Sequence, residues 1–301
     1  MPTGPSEPVV LAVDIGGTKM AAAVVDPSGA VLADARVPTP ASSDPEEVFG
    51  VLAALIQRVR STTTTQPAVC GVGCGGPMTR GGETVSPLNI GAWVRFPLRA
   101  RLAEQVGLHV AVDNDAKALA LGEGWLGAAR GSANYMAMVV STGVGGGIVV
   151  NGRLLDGENG NAGHIGHVVV EPEGRLCPCG GRGCLEAEAS GLSIEQVTGH
   201  PAAEAPEPVR RRTGMLVGRA VASVANLLDV ELTVVAGSVA LGFGAPFFDA
   251  AQEELSSRSR LDFSRSARII PAGLGAHGPP IGAAAVGRQA YGASPLAGRT
   301  D

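Results

Sequence analysis

A chain of 301 residues is long enough for two domains, each with its own core. Apolar residues at 45% against 17% charged exclude a disordered chain, and a net charge of −5 argues against a general nucleic-acid binder, which needs a basic face to neutralise phosphates. No run reaches the ~18 apolar residues of a membrane span, and no basic start or apolar stretch marks a secretion signal, so a cytoplasmic protein without membrane partners is expected.

Residues 9–13 predict a strand ending at Asp14, followed at once by Ile15-Gly16-Gly17-Thr18-Lys19. Residues 21–25 and 30–33 continue an antiparallel meander around the turn Asp26-Pro27-Ser28-Gly29. Asp44-Pro45-Glu46-Glu47 supplies an N-cap, a proline at the first helical position and acidic first-turn residues for a helix over 48–59. A buried strand over 69–74 leads into Gly75-Gly76-Pro77. A helix near 98–106 and a strand over 109–112 follow, and Asp113-Asn114-Asp115 opens another helix reaching about Leu126. Residues 136–140 form a strand, 141–147 a glycine turn and 148–150 the returning strand. Later helices alternate with strands over 232–235 and 268–270. Arg210-Arg211-Arg212 opens one of these helices and reads as a solvated face, while 201–208 reads as a surface loop. The order meander, helix, strand, helix, strand occurs twice, which predicts two similar α/β halves with ligands in a cleft between them.

Two glycine loops offer successive N–H groups to phosphate: Asp14 to Lys19, and Thr142-Gly143-Val144-Gly145-Gly146-Gly147. A plain hairpin turn competes as the reading of either loop alone. Ala236-Gly237-Ser238, at the end of a buried strand, could lie under a nucleotide. His167, Cys177, Cys179 and Cys184 form H-x9-C-x-C-x4-C, a donor set for a closed, structural tetrahedral zinc site. Five cysteines with this one tight cluster argue against a disulfide framework. At the start of the third helix one residue caps the helix and a carboxylate can accept a proton from a substrate hydroxyl; chemistry alone does not choose between Asp113 and Asp115.

In combination, DIGGTK at 14–19, NDA at 114–116, STGVGGG at 141–147, GNAGHIGH at 160–167 and CPCGGRGCLEA at 177–187 resemble the ROK family, over almost the whole chain. The resemblance implies the actin-like ATPase (hexokinase/Hsp70) fold, with duplicated α/β domains over 1–115 and 116–301, a C-terminal helix packed back on the first, and a zinc-bound loop. It implies transfer of the γ-phosphoryl of MgATP to a sugar hydroxyl, usually O6, and a homodimer or homotetramer. By that resemblance Asp115 is the base. Gly76, Asn89, Asn114, His164, His167 and Glu186 bind sugar with it. Gly16, Gly17, Thr18, Lys19, Thr142, Gly143, Gly145 and Gly237 line the nucleotide, and Asp14 holds Mg²⁺ through water.

Where ROK glucokinases carry Glu-x-Gly-His, this chain reads His164-Ile165-Gly166-His167. A carboxylate only accepts hydrogen bonds, whereas a neutral imidazole also donates, which suits an acetamido carbonyl. N-acetylmannosamine or another N-acetylhexosamine is therefore the expected substrate, with glucose the alternative. Lys117, where the family more often has Asn or Gln, is expected to be solvated. A sugar-responsive repressor of the same family is the first competing class; with eight residues before Val9 and a negative net charge, the kinase is expected instead. A zinc hydrolase is the second, but four protein ligands leave no open position.

Overall fold

The computed structural model describes residues 7–292. They divide into two compact units. The first takes the chain to Leu126, the short stretch Asp156–Ala162 and the chain from Ala276; the second takes Gly127–Leu155 and Gly163–Gly275.

In the first unit β1 (Val10–Ile15), β2 (Lys19–Val25), β3 (Val31–Pro38), β4 (Val69–Cys74) and β5 (His109–Asn114) form one sheet in the order β3-β2-β1-β4-β5. The meander β1-β2-β3 is antiparallel, and β1, β4 and β5 run parallel. Leu11, Val13, Ile15, Met20, Ala22, Cys70 and Val72 share one sheet face with the apolar stripe of α1 (Pro45–Ser61) and with α2 (Leu98–Val106). The start of α1 follows from its cap: Asp44 accepts the Glu46 N–H at 2.9 Å, and Pro45 fills the first helical position, where no N–H is needed. α3 (Asp115–Trp125) and α9 (Gly278–Ala290) pack on each other and on β4 and β5. Buried Arg288 on α9 pairs with both Glu7 carboxylate oxygens at 2.8 and 2.9 Å, and lies 4.1 Å over the Trp125 ring.

The second unit repeats the same strand order. β6 (Tyr135–Val140), β7 (Val144–Val150), β8 (Arg153–Leu154), β9 (Leu232–Ala236) and β10 (Arg268–Pro271) lie in the order β10-β9-β6-β7-β8. Here too the first three strands are an antiparallel meander and the last two join in parallel. Short α4 (Leu185–Ala189), α5 (Gly191–Thr198) and α7 (Ser238–Phe243) sit near the strand ends, and long α6 (Glu207–Leu228) packs along α8 (Ala245–Arg258).

Two expectations change. Gly145, Gly146 and Gly147 lie inside β7, opposite Val139, Met138 and Ala137, so the turn is only Ser141 to Gly143. Ladder hydrogen bonds need no side chain, and the missing side chains are used elsewhere: a Cβ on Gly163 would stand 2.4 Å from the Gly146 carbonyl oxygen. The arginine run is not merely solvated, because Arg212 reaches the buried carboxylate of Glu188 at 2.7 Å. Among the described residues no helix is long and apolar enough to cross a membrane.

Candidate active site

In the first unit, the carboxyl ends of β1, β4 and β5 bring two acids together. Asp14 pairs in register with Gly73 on β4, and Gly73 with Asp113 on β5. A Cβ on Gly73 would lie 3.7 Å from Asp14 Oδ1 and 3.6 Å from the Asp115 Cα, so both acids flank this one glycine. Burial, and then the nearby charge of Asp115, raise the Asp14 pKa to about 7 against the opposing pull of Lys19.

Beyond Asp14 the chain closes a tight hairpin, Gly16 N–H donating to the Lys19 carbonyl at 3.0 Å. Thr39 fixes it twice: its hydroxyl donates to the Gly16 carbonyl at 2.7 Å and its N–H to the Thr18 carbonyl at 3.1 Å. Thr18 and Lys19 are exposed. Gly17 is required by close approach, since a Cβ there would sit 2.3 Å from the Asn89 Cβ. Asn89 thus lies against the loop, and Leu88 N–H donates to the Gly76 carbonyl at 3.2 Å, which brings Gly76 to the same place.

At the start of α3, Asn114 is the cap: its Oδ1 accepts the Ala116 N–H at 3.0 Å. Asp113 turns away, accepting its neighbour's N–H and the Lys117 ammonium, each at 2.8 Å. Asp115 is the exposed carboxylate of the pair. Lys117, expected in solvent, is buried; besides Asp113 it reaches Asp156 at 2.7 Å and the Gly160 carbonyl at 3.3 Å. Nothing local in the sequence announces partners 39 and 43 residues away.

In the second unit the Ser141–Gly143 turn is held from two sides. Gly191 N–H at the start of α5 donates to the Ser141 carbonyl at 2.7 Å, and the Ser141 and Ser238 hydroxyls are 2.9 Å apart. Glu186 Oε2 accepts the Val144 N–H at 2.8 Å, next to Gly143. Thr142 is exposed at the tip, Gly145 lies in β7, and Gly237 links β9 to α7 against the end of β6. The segment 163–167 crosses β7, with the exposed His164 ring 6.1 Å from that of His167.

The donor atoms of His167, Cys177, Cys179 and Cys184 all lie within 4.8 Å of one another. Cys179 Sγ to Cys184 Sγ is 3.8 Å, and Cys177 Sγ to His167 Nδ1 is 3.8 Å. A tetrahedron with metal–sulfur bonds of ~2.3 Å has sulfur–sulfur edges of about 3.8 Å, so these four residues fit a metal ion such as zinc. Burial pushes the Cys184 thiol up to about 12, and a bound cation is what would hold it as a thiolate.

The sequence missed what anchors this hairpin. Glu188, buried on α4, accepts the Arg175 N–H at 2.6 Å and the Arg212 guanidinium at 2.7 Å, and Arg219 pairs with Glu171. These charges steady both the cysteine hairpin and the short helix bearing Glu186.

The ROK family pattern matches residues 10–290. The chain belongs to the ROK family. An N-acetylmannosamine kinase from Citrobacter koseri is 38% identical over 251 residues, covering 78% of this chain and 84% of that protein. The crystal structure of the ROK hexokinase from Thermus thermophilus aligns with a TM-score of 0.80 at 33% identity, over 94% of this chain and 99% of that one. A ROK glucokinase from Streptomyces griseus, crystallised with glucose and AMPPNP, aligns at 0.81 and 30% identity over 93% and 99%.

Each unit's sheet is the mixed five-stranded sheet of the actin-like ATPase fold, and the protein is a ROK sugar kinase. ATP-dependent phosphoryl transfer implies Mg²⁺ on the nucleotide.

Proposed function

We propose that this ROK kinase phosphorylates the 6-hydroxyl of an N-acetylhexosamine, N-acetylmannosamine first, with MgATP as donor. The observation that carries the sugar assignment is His164, an exposed imidazole in the place where ROK glucokinases have a glutamate. The imidazole can donate to an acetamido carbonyl, as a carboxylate cannot. The identity with the Citrobacter koseri N-acetylmannosamine kinase supports the same choice. Likeness to the Streptomyces griseus glucokinase keeps glucose as the second reading.

In this proposal Asp115 takes the proton of the attacking hydroxyl as its oxygen bonds to the γ-phosphorus and the bond to the β–γ bridging oxygen breaks, releasing ADP. Its exposure, with Asp113 already committed to Lys117, supports that role. Asn114 spends its Oδ1 on the helix cap and keeps its side-chain amide for a sugar hydroxyl. Gly76, Asn89, His167 and Glu186 complete the sugar ligands; Glu186 commits Oε2 to Val144 and offers its other oxygen. Gly16, Gly17, Thr18, Lys19, Thr142, Gly143, Gly145 and Gly237 serve the nucleotide, Gly16 by shaping the hairpin that its N–H closes onto the Lys19 carbonyl, and Asp14 would hold Mg²⁺ through water. Mg²⁺ would neutralise charge on the transferring phosphoryl. A zinc ion in the Cys3His set is structural; with Nδ1 of His167 turned to the cluster, Nε2 is left for the sugar.

The test is His164→Glu. The ratio of glucose to N-acetylmannosamine kcat/KM should rise by at least about tenfold, the scale of one well-placed polar contact. An unchanged ratio removes His164 from substrate choice.

A further inference from the structure

We infer that Lys117 is a positioning residue for the sugar acceptor, a cation built into the protein that ties the root of α3 to the loop running into Gly163 and His164. The inference rests on the proposed sugar-binding role of the α3 terminus and of His164.

Lys117 is 2% exposed, in the first turn of the helix that begins with Asp115. Its ammonium has three N–H donors and three partners: the Asp113 carboxylate at 2.8 Å, Asp156 at 2.7 Å and the Gly160 carbonyl at 3.3 Å. Asp113 Oδ1 also accepts the Asn114 N–H at 2.8 Å, so one carboxylate oxygen joins the lysine to the backbone just before Asp115. The other two partners lie in Asp156–Ala162, a stretch that belongs to the first unit although the chain on both sides belongs to the second. Asn161 adds a third tie, its amide donating to the Met78 carbonyl at 3.3 Å. Two residues further on are Gly163 and His164.

Burial alone would favour a neutral amine, but Asp113 and Asp156 outweigh it and raise the lysine pKa, so the charge persists. A fixed cation between two carboxylates and a carbonyl leaves little freedom to the loop or the helix end, and sub-ångström errors in placing an acceptor reduce turnover steeply. A cavity of about 200 Å³, lined by Met78, Arg80, Val112, Asp113, Lys117 and Asp156 among others, lies beside the ammonium. At that volume it has room for a molecule the size of n-propylammonium beside residue 117.

Two variants test this without relying on a fragile fold. Asp156 has 58% of its side chain exposed, and Asp156→Ala leaves the buried Lys117–Asp113 pair intact. Its Tm should stay within ~2 °C of the parent, with sugar KM raised about 5- to 20-fold and ATP KM within about twofold. Lys117→Ala removes the side chain beyond Cβ, and n-propylammonium replaces the missing atoms. Added n-propylammonium should restore turnover of that variant, and n-propanol should not.

A sugar KM within about twofold of the parent in Asp156→Ala overturns the inference, as does equal rescue by the amine and the alcohol, which would make the role one of packing. Near-normal turnover of Asp115→Asn would overturn the base assignment alone. The KM of Asp156→Ala decides the positioning role in either case.

Discussion

Replacing Asp14 by asparagine should stabilise the metal-free protein at neutral pH while it removes activity. The native carboxyl has a pKa of about 7, against 3.8 for the ordinary group. It therefore keeps a proton that the unfolded chain has already lost, so stability falls as pH rises from below 3.8 through about 7 and is flat above. Three units at 1.36 kcal/mol each set a ceiling of about 4 kcal/mol, and Asp14 is partly exposed with Lys19 nearby, so we take about half, ~2 kcal/mol. Linkage leaves about a quarter of that at pH ~4.5, where the unfolded carboxyl is itself partly protonated. Asp14→Asn should thus raise Tm by about 4–8 °C at pH ~8 but only ~1–2 °C at pH ~4.5, measured by thermal unfolding with EDTA and no nucleotide. Its kcat should fall by at least ~100-fold, a trade of activity for stability. Equal gains at the two pH values, or a lower Tm at pH ~8, would refute the assignment of a proton-holding Asp14.

Asp115→Asn should lose about 10²–10⁴ in kcat while the protein still folds with a Tm no lower than the parent, since a charge beside Asp14 is removed, read by ADP release beside calorimetry. Cys179→Ser should reduce bound zinc measured by atomic emission, lower Tm and raise sugar KM, because a structural metal contributes its binding energy to the folded loop. Gly163→Ala puts a methyl 2.4 Å from a backbone oxygen at a residue with φ +100°, and a loss of about 3 kcal/mol or more is expected in denaturant unfolding. A Gly163→Ala protein as stable as the parent would mean that 163–167 does not lie against β7.

What could be read in the sequence was local. Asp44 with Pro45 gave a helix at the expected position, and the helix expected near 98–106 is there, stopped by Gly107 at φ 69°, because caps and glycine stops act within one turn. The repeated strand order was also legible, as was the Cys3His spacing, whose donors converge as tetrahedral geometry requires. Long-range pairing was not legible. Lys117 has no neighbour in sequence that foretells Asp156, and Arg212 looked like one of three solvated arginines until Glu188 was placed 24 residues back. Gly145 to Gly147 looked like a loop because glycine signals turns, whereas here Gly146 makes room for a crossing backbone. Asp113 and Asp115 are alike on chemistry alone, and the engagement of Asp113 by Lys117 is a contact the local sequence did not show.

ADP release with MgATP over glucose, mannose, N-acetylglucosamine and N-acetylmannosamine decides whether this is the proposed N-acetylhexosamine kinase, with His164 toward the acetamido group. The highest kcat/KM is expected for N-acetylmannosamine. A clear preference for glucose would contradict it, leaving a ROK glucokinase in which the histidine does not select the substrate.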